Sequence, residues 1–216
     1  MVAALRQLRL NGCELSFGND GETEGLAAAL SLLPAGLEHL SLKDLGTYDE
    51  WGLVDVNFPT GALQLLQQLT YLELAYMRLV GPDQEQPALQ PLQALTRLVD
   101  LRLNSVNANE DRDDDLGIVR ITASMLSGTH HLTHLELSDV IEVEPGVLAG
   151  KTKLQYLQIE QCIVSDAAAG VAQFLSHLQQ LQQLTHLTVG TDFERQQAVS
   201  TCYPSCSSLL STDSKQ

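Results

Sequence analysis

Aromatic and basic residues are both scarce in this chain of 216 residues. Aromatics make up 5% of the sequence, and 12 Lys and Arg stand against 27 Asp and Glu, which leaves a formal net charge of −15. Nucleic acids and anionic membrane surfaces carry negative charge, so this excess of carboxylates argues against both as partners. A protein or peptide that carries a basic patch suits the charge better, and we predict a partner of that kind.

The sequence also lacks long apolar runs, and we expect no secretory leader. The longest apolar candidate, Ala27–Leu33, ends at Pro34, whereas a membrane-spanning helix needs roughly 18 apolar residues. Near the N-terminus, Arg6 and Arg9 leave no room for the apolar segment of a signal peptide. We therefore predict no membrane insertion and a cytoplasmic location, with the cytoskeleton or the ciliary axoneme as the alternative.

Cysteine is too rare for a disulfide-dense secreted domain, since the whole chain has four. Cys202 and Cys206, within Cys-Tyr-Pro-Ser-Cys, could form a local bridge, but metal and redox pairs are usually spaced Cys-x-x-Cys. These counts favour a reducing, intracellular setting and leave the state of that pair open.

Enzyme and cofactor motifs are missing as well. The sequence contains no Gly-x-Gly-x-x-Gly, P-loop, His-Glu-x-x-His or Gly-x-Ser-x-Gly. The densest charge run, residues 110–115, alternates Asp in the manner of a calcium loop. Its glycine comes one position late, at Gly117, and Thr122 stands where a bidentate Glu is required, so we predict a solvated acidic loop.

Three histidines, His130, His131 and His134, lie close together in the sequence. No carboxylate that would orient them as metal ligands can be identified, so we interpret them as ordinary residues of a turn and a strand. With no motif for chemistry in the chain, we predict no enzyme activity, no metal and no cofactor.

Leucine, by contrast, is abundant, with 41 residues, and it recurs in a fixed frame. The pattern Leu-x-x-Leu-x-Leu occurs five times, and twice more with Ile or Val at its third position. Recurrence at quasi-regular spacing over most of the chain indicates a repeat architecture. The frames start at Leu5, Leu37, Leu69, Leu98, Leu132, Leu154 and Leu184.

These frames resemble the leucine-rich-repeat family, and residues 5–15, Leu-Arg-Gln-Leu-Arg-Leu-Asn-Gly-Cys-Glu-Leu, meet its pattern in full. The resemblance covers residues 5–190 and implies an α/β leucine-rich-repeat solenoid, a horseshoe arc with a parallel concave β-sheet and short convex helices. Period-two leucines such as Leu8 and Leu10 independently favour a strand with one buried face. We predict a domain of about seven repeats over residues 1–192, which could be a fragment of a longer array, and a polar, disordered tail over 193–216.

The position after each frame at which the family often has Asn is mostly apolar in this chain. Without an Asn ladder, we expect apolar packing to hold these turns. The departure favours the intracellular branch of ribonuclease-inhibitor-like or cysteine-containing repeats over the extracellular plant-receptor type, whose Gly-x-Ile-Pro signature is also missing. The residues at this position are Cys13, Leu45, Met77, Val106, Val140, Cys162 and Asp192.

The segments between the frames are predicted to form the convex side. Helical periodicity predicts several short helices there, and a longer helix runs from an N-cap at Ser165-Asp166 to Gln183 with an apolar stripe that includes Phe174. Two segments rich in Gly, Asp and Asn, 46–60 and 107–117, are predicted to be surface loops. The predicted short helices cover residues 25–33, 61–68, 88–95 and 118–126.

The residues between the leucines form the predicted partner-binding surface on the concave face. Stacked strands place equivalent residues roughly 4.8 Å apart, so rings at one position of successive repeats form a column. Tyr and Arg are frequent at interface hot spots, but such rings can equally stack on one another as ordinary solvent-facing residues. The candidate site residues are Arg9, His39, Tyr71, Glu73, Tyr76, Asp100, Arg102, His134, Glu136, Tyr156, Gln158 and His186.

From these observations we predict a non-catalytic scaffold for protein–protein interaction that binds its partner on the concave face. The alternative is the recognition arm of a larger protein, such as a ubiquitin-ligase substrate receptor, an immune-type receptor or a cytoskeletal or ciliary regulator. Activation of a small GTPase through a loop arginine is less favoured, because no motif marks any of the available Arg78, Arg112 and Arg120.

Overall fold

Each of the seven leucine frames supplies one strand of a single parallel sheet. The computed structural model describes residues 5–12, 29–49, 52–55, 57–80, 89–108, 119–138, 141–164 and 168–190. In chain order its strands are β1 (Gln7–Asn11), β2 (His39–Lys43), β3 (Gly46–Asp49), β4 (Gly52–Asp55), β5 (Asn57–Pro59), β6 (Tyr71–Val80), β7 (Asp100–Ala108), β8 (Val119–Ile121), β9 (His134–Ser138), β10 (Ile141–Val143), β11 (Tyr156–Glu160), β12 (Ile163–Val164) and β13 (His186–Gly190).

The long sheet has the strand order β1-β2-β6-β7-β9-β11-β13, and every neighbouring pair is parallel. Its register aligns the second leucine of each frame with the second leucine of the next, as in Leu40, Leu72 and Leu101. The predicted repeat frame and the predicted parallel sheet are therefore confirmed.

The frame leucines form a continuous core between this sheet and the outer segments. In the five interior repeats all of them are buried, and the first leucines, such as Leu69 and Leu98, have no exposed surface. The two end strands are different: Leu8 is only partly buried and Leu187 is 40% exposed. Full burial of a leucine contributes about 2 kcal/mol, so the interior repeats carry most of the apolar stabilisation.

One backbone carbonyl in each repeat links it to the following repeat. Arg6 O accepts hydrogen bonds from two successive N–H groups, those of Glu38 at 2.8 Å and His39 at 3.0 Å. Threonine hydroxyls reinforce the same arrangement further along, for example Thr70 Oγ1 to Glu38 O at 3.0 Å. The same paired acceptance recurs at the carbonyls of Glu38, Thr70, Val99, Thr133 and Gln155.

Two positions after the third frame residue, the backbone passes through one left-handed residue, which follows β1, β2 and β11 and lies within β6 and β7. The residues with positive φ there are Gly12 (61°), Asp44 (49°), Tyr76 (55°), Ser105 (48°) and Gln161 (53°).

The next residue is the apolar one that stands in place of the family's Asn, and it points into the core. Leu45, Met77, Val106 and Cys162 are all buried, so the predicted apolar packing of these turns is confirmed there. The Cys162 thiol also donates to the carbonyls of Leu137 and Glu160. The remaining predicted members, Cys13, Val140 and Asp192, lie outside the described residues.

Beyond this turn, short second strands pair from repeat to repeat. β5 pairs with the last residues of β6, while β8, β10 and β12 form a separate parallel sheet. The prediction of a loop over 46–60 is therefore wrong, because that segment holds the antiparallel hairpin β3–β4 and then β5, in which Phe58 is buried. Of the loop predicted over 107–117, residues 107–108 end β7 and the rest lies outside the described residues.

The outer side is built largely of 3₁₀-helices and turns instead of α-helices. The 3₁₀-helices are Thr60–Leu65, Gln90–Ala94 and Pro145–Leu148, residues 29–31 are helical, and the α-helix α1 spans Ala168–Leu178. Two of the 3₁₀-helices have proline in the first turn, Pro91 as the second residue and Pro145 as the first, where the missing N–H costs nothing.

Two helix predictions need correction. The helix predicted over 118–126 is wrong, because Val119–Ile121 form β8 and turns follow it. The long helix ends at Leu178, before the predicted Gln183, although Phe174 and Leu181 are buried as its stripe requires. Its predicted N-cap, Ser165-Asp166, lies outside the described residues. Within the described ranges, no helix has the length and apolar character needed to cross a membrane.

Candidate functional site

The concave face of the long sheet carries three columns of side chains opposite the leucine core, because successive strand residues point to opposite faces. The ring column is Gln7, His39, Tyr71, Asp100, His134, Tyr156 and His186; the charged column is Arg9, Ser41, Glu73, Arg102, Glu136, Gln158 and Thr188; the rim column is Asn11, Lys43, Ala75, Asn104, Ser138, Glu160 and Gly190.

The ring column contains two stacks of nearly parallel rings. His39 and Tyr71 have centroids 3.9 Å apart and planes inclined by 5°. In the second stack His134 lies 3.9 Å from Tyr156, which lies 4.4 Å from His186. Stacked aromatic pairs of this kind contribute about 0.5–1.5 kcal/mol beyond area burial, so the rings are held in place without a partner.

Glu73 is the centre of a hydrogen-bonded cluster between β2 and β6. Its Oε1 lies 2.5 Å from Lys43 Nζ, and its Oε2 accepts from Ser41 Oγ and from Tyr71 OH, both at 2.8 Å. Burial alone raises the pKa of Glu73, but the hydrogen bonds from Lys43, Ser41 and Tyr71 outweigh it, so the pKa lies below its ordinary value. Burial and donation to this carboxylate raise the pKa of Tyr71.

Asp100 and Arg102, on one strand, form a bidentate pair with Nε–Oδ1 and Nη2–Oδ2 distances of 3.0 Å. Hydrogen bonding to Asp100 raises the pKa of Arg102 further above its already high ordinary value. The guanidinium also lies 5.4 Å from the centroid of the Tyr71 ring, within cation–π range. This pair lies between the two ring stacks, and its two charges cancel.

His134 is held mainly by stacking. Its Nε2 is buried without a hydrogen bond, and Glu136 Oε2 lies 3.9 Å away. Burial is the main reason that the pKa of His134 is lowered, so its ring is neutral at pH 7.

A shallow cavity of about 280 Å³ opens at the β1–β2–β6–β7 end of the concave face. Above it, Arg9 Nε donates to His39 Nε2 at 3.0 Å, which requires that nitrogen to be unprotonated. Burial and the neighbouring Arg9 cation lower the pKa of His39, in agreement with a neutral ring. The lining residues are Arg9, Asn11, Ser41, Lys43, Tyr71, Glu73 and Arg102.

Solved structures include matches to this chain. An internalin from Listeria monocytogenes strain 4b F2365 superposes with a TM-score of 0.46 and 16% sequence identity, over 91% of this chain and 58% of that one. This chain thus spans less than two thirds of the internalin chain. No protein-family model and no curated protein matches the chain. The leucine register and burial described above therefore carry the fold assignment. The fold is a leucine-rich-repeat solenoid.

On this solenoid eleven of the twelve predicted site residues fall in the ring and charged columns, and the predicted stacking of rings is present. The twelfth, Tyr76, is the left-handed residue within β6, with half of its surface exposed. The structure thus brings the predicted residues together on one face. Their contact with a partner stays a prediction.

Three residues that line the cavity, Asn11, Ser41 and Lys43, are not among the twelve predicted site residues. Lys43 and Asn11 belong to the rim column, one residue past the third frame position. The register places Lys43 on the strand next to that of Glu73, two residues further along than Ser41, the partner of Glu73, and the side-chain rotamers then bring the opposite charges together.

The described histidines and arginines that were considered for metal binding or GTPase activation do not come together at one site. His130 and His131 are exposed in a turn, and His134 is on the sheet; no group of three or more metal-binding side chains forms in the part of the chain that the structure describes. Arg120 pairs with Glu142 at 2.7 Å. The side chain of Arg78, together with Arg112 and the acidic run 110–115, lies outside the described part.

Proposed function

We propose that this chain is a non-catalytic scaffold that binds a protein or peptide partner on the concave face of its solenoid. The observation that carries the proposal is the ordering of that face: ring stacks, the Glu73 cluster and the Asp100–Arg102 pair fix its side chains in advance. Side chains already fixed lose little conformational entropy on binding, which favours affinity.

The residue types and the shape of the face also support a macromolecular partner. Tyr71, Tyr156 and Arg102 belong to the types enriched at interface hot spots. The cavity of about 280 Å³ is at the lower limit of the roughly 300–1,000 Å³ of small-molecule pockets, so a side chain of a partner fits it better than a whole ligand.

Two finer proposals follow from the sequence. Buried apolar residues at the former Asn position, such as Leu45 and Cys162, support repeats of the ribonuclease-inhibitor-like or cysteine-containing type. With that type we propose a cytoplasmic location, or the cytoskeleton or ciliary axoneme as the alternative, and a partner with basic groups suited to the net charge of −15. A role as the recognition arm of a larger protein would use the same face.

The experiment starts from peptides selected on the full chain from a random-sequence display library. The affinity of each peptide is measured for the wild type, for the concave double variant Tyr156→Ala with His186→Ala, and for an outer-surface control, Gln179→Ala with Gln182→Ala. We expect the concave variant to lose at least about tenfold in affinity, as for hot-spot residues, and the control to lose none. Thermal unfolding of each variant verifies that it is folded at the temperature of the assay.

Peptides that lose affinity only with the outer-surface control would overturn the proposal. So would peptides that bind the concave variant as well as they bind the wild type.

A further inference from the structure

The concave face has unused hydrogen-bonding capacity of opposite kinds at its two ends. At the β1–β2 end the charged groups with unused capacity are donors. Arg9 contacts His39 only through Nε, and its terminal nitrogens form no ion pair with a described residue. Lys43 has one carboxylate partner, and its side chain remains 37% exposed.

The carboxylate at this end is already compensated by its own neighbours. Both oxygens of Glu73 are engaged, one by Lys43 and the other by Ser41 and Tyr71. Because Arg102 is paired with Asp100, the charged lining groups that still have donors left are the cations Arg9 and Lys43. A cavity of this composition suits a carboxylate.

At the β9–β11 end the unused groups are acceptors. Glu136 Oε2 lies 3.9 Å from both Arg102 Nη1 and His134 Nε2, too far for a hydrogen bond to either. The Glu160 carboxylate forms no hydrogen bond or ion pair with any described residue. Its neighbour in the rim column is Gly190, which has no side chain to cover it.

Between these ends, Asp100 and Arg102 are hydrogen-bonded to each other. The charge that remains available on the face therefore changes from positive to negative across this pair. From β2 to β9 there are three strand steps and from β1 to β11 five. At roughly 4.8 Å per step these distances are about 14 and 24 Å, which an extended chain covers in about four to seven residues.

We infer that the partner presents an extended segment that crosses the strands, with an Asp or Glu seated against Arg9 and Lys43 and a Lys or Arg about four to seven residues away against Glu136 and Glu160. The inference rests on the proposed function and refines the expectation of a basic partner, because only one end of the segment is basic. It also specifies the orientation of the segment, with its acidic residue towards β1 and its basic residue towards β11.

Double-mutant cycles on the selected peptides test this assignment. The acidic residue of a peptide is replaced by Ala and its binding compared between wild type and Arg9→Gln; its basic residue is treated in the same way against Glu160→Gln. We expect each peptide change to cost about threefold to fivefold on the wild type and much less on the matching variant, as for partly exposed ion pairs. Crossed pairs, the acidic residue with Glu160→Gln and the basic one with Arg9→Gln, are the controls and should be additive.

The outcomes separate the two proposals. Peptides that lose affinity with the Tyr156→Ala, His186→Ala variant but show no coupling to Arg9 or Glu160 overturn this inference and leave the scaffold proposal intact. Peptides insensitive to both sets of concave variants overturn both.

Discussion

Lys43 Nζ lies 2.5 Å from Glu73 Oε1, and this contact joins the rim column of one repeat to the charged column of the next. The same carboxylate accepts the Tyr71 hydroxyl, whose ring stacks on His39. Side chains of neighbouring repeats are thus connected on the concave face as well as in the leucine core. The side chains of this face are ordered because they stabilise one another.

Glu73→Gln removes the charge that pairs with Lys43 and leaves a half-buried ammonium without its partner. We expect the free energy of unfolding at pH 7 to fall by about 1–3 kcal/mol, the range for hydrogen bonds to charged groups. Urea unfolding measures the change. Glu38→Gln, at the exposed Arg6–Glu38 pair, is the matched control and should cost less than about 1 kcal/mol.

The Glu73 contribution should depend on pH in a defined direction. The pKa of Glu73 in the folded chain is below its ordinary 4.5, so the stabilisation is complete above that value and is lost as pH falls through the folded-state pKa. Wild type and Glu73→Gln should therefore converge in stability below pH 4.5. A gap that stays constant down to pH 3 would contradict this account of the cluster.

Tyr76 is a large side chain at a left-handed position, with φ 55°, that Gly occupies in the first repeat. We expect Tyr76→Gly to be more stable than Tyr76→Ala by about 1 kcal/mol, because both lose the ring but only Gly relieves the backbone. Thermal unfolding of the two variants isolates that difference. If Tyr76→Ala is as stable as Tyr76→Gly, the backbone at this position is not strained. The exposed Tyr76 ring would then require no functional explanation.

Leu101 and Leu187 occupy the same frame position in an interior and an end repeat. Leu101 has no exposed surface, whereas Leu187 is 40% exposed. Leu101→Ala should cost about 2–5 kcal/mol of unfolding free energy, and Leu187→Ala less than half as much, because a cavity forms only where the side chain is enclosed. Equal losses in urea unfolding would show that the repeats do not share one continuous core.

Lys151 is buried, at 3% exposure, with Nζ donating to the Leu126 carbonyl, and burial lowers its pKa. We expect Lys151→Met to be at least as stable as wild type at pH 7, because it removes a buried cation that has no carboxylate partner. Because the pKa of Lys151 is lowered in the folded state, the stability of the wild type should rise relative to that of the variant as pH rises towards 10.5. Urea midpoints of the two proteins are therefore compared from pH 7 to 10. The exposed Lys153→Met is the control, and a difference that shrinks with falling pH would contradict the assignment.

The strand positions could be predicted from the sequence because a period-two leucine pattern leaves one choice of buried face. The outer segments could not. Val119–Ile121 was predicted as helix because a short apolar run fits the periodicity of either a helix or a strand. In the structure this segment is a strand because it pairs with Ile141–Val143. The hairpin Gly46–Asp55 was predicted as a loop from its Gly and Asp, although Tyr48, Leu53 and Val54 favour strands.

The candidate site was predictable in its columns but not in its contacts. Register placed His39 beside Tyr71 because equivalent residues of parallel strands align. The bond from Tyr71 to Glu73, two residues along the same strand, and the diagonal contact from Lys43 depend on side-chain rotamers, which no spacing specifies. The opposite character of the two ends emerged only once these internal pairs were known, because they determine which charges remain available.

An NMR titration with a selected peptide tests the central claim, that partners bind the concave face, most directly. Ring signals of Tyr71 and Tyr156 report on that face, and the methyl groups of Leu65, 57% exposed on a 3₁₀-helix of the outer side, report on the other. We predict that the two tyrosine signals shift and saturate with the peptide while Leu65 stays unchanged. Saturating shifts at Leu65 with unmoved tyrosine rings would place the binding surface elsewhere and contradict the account.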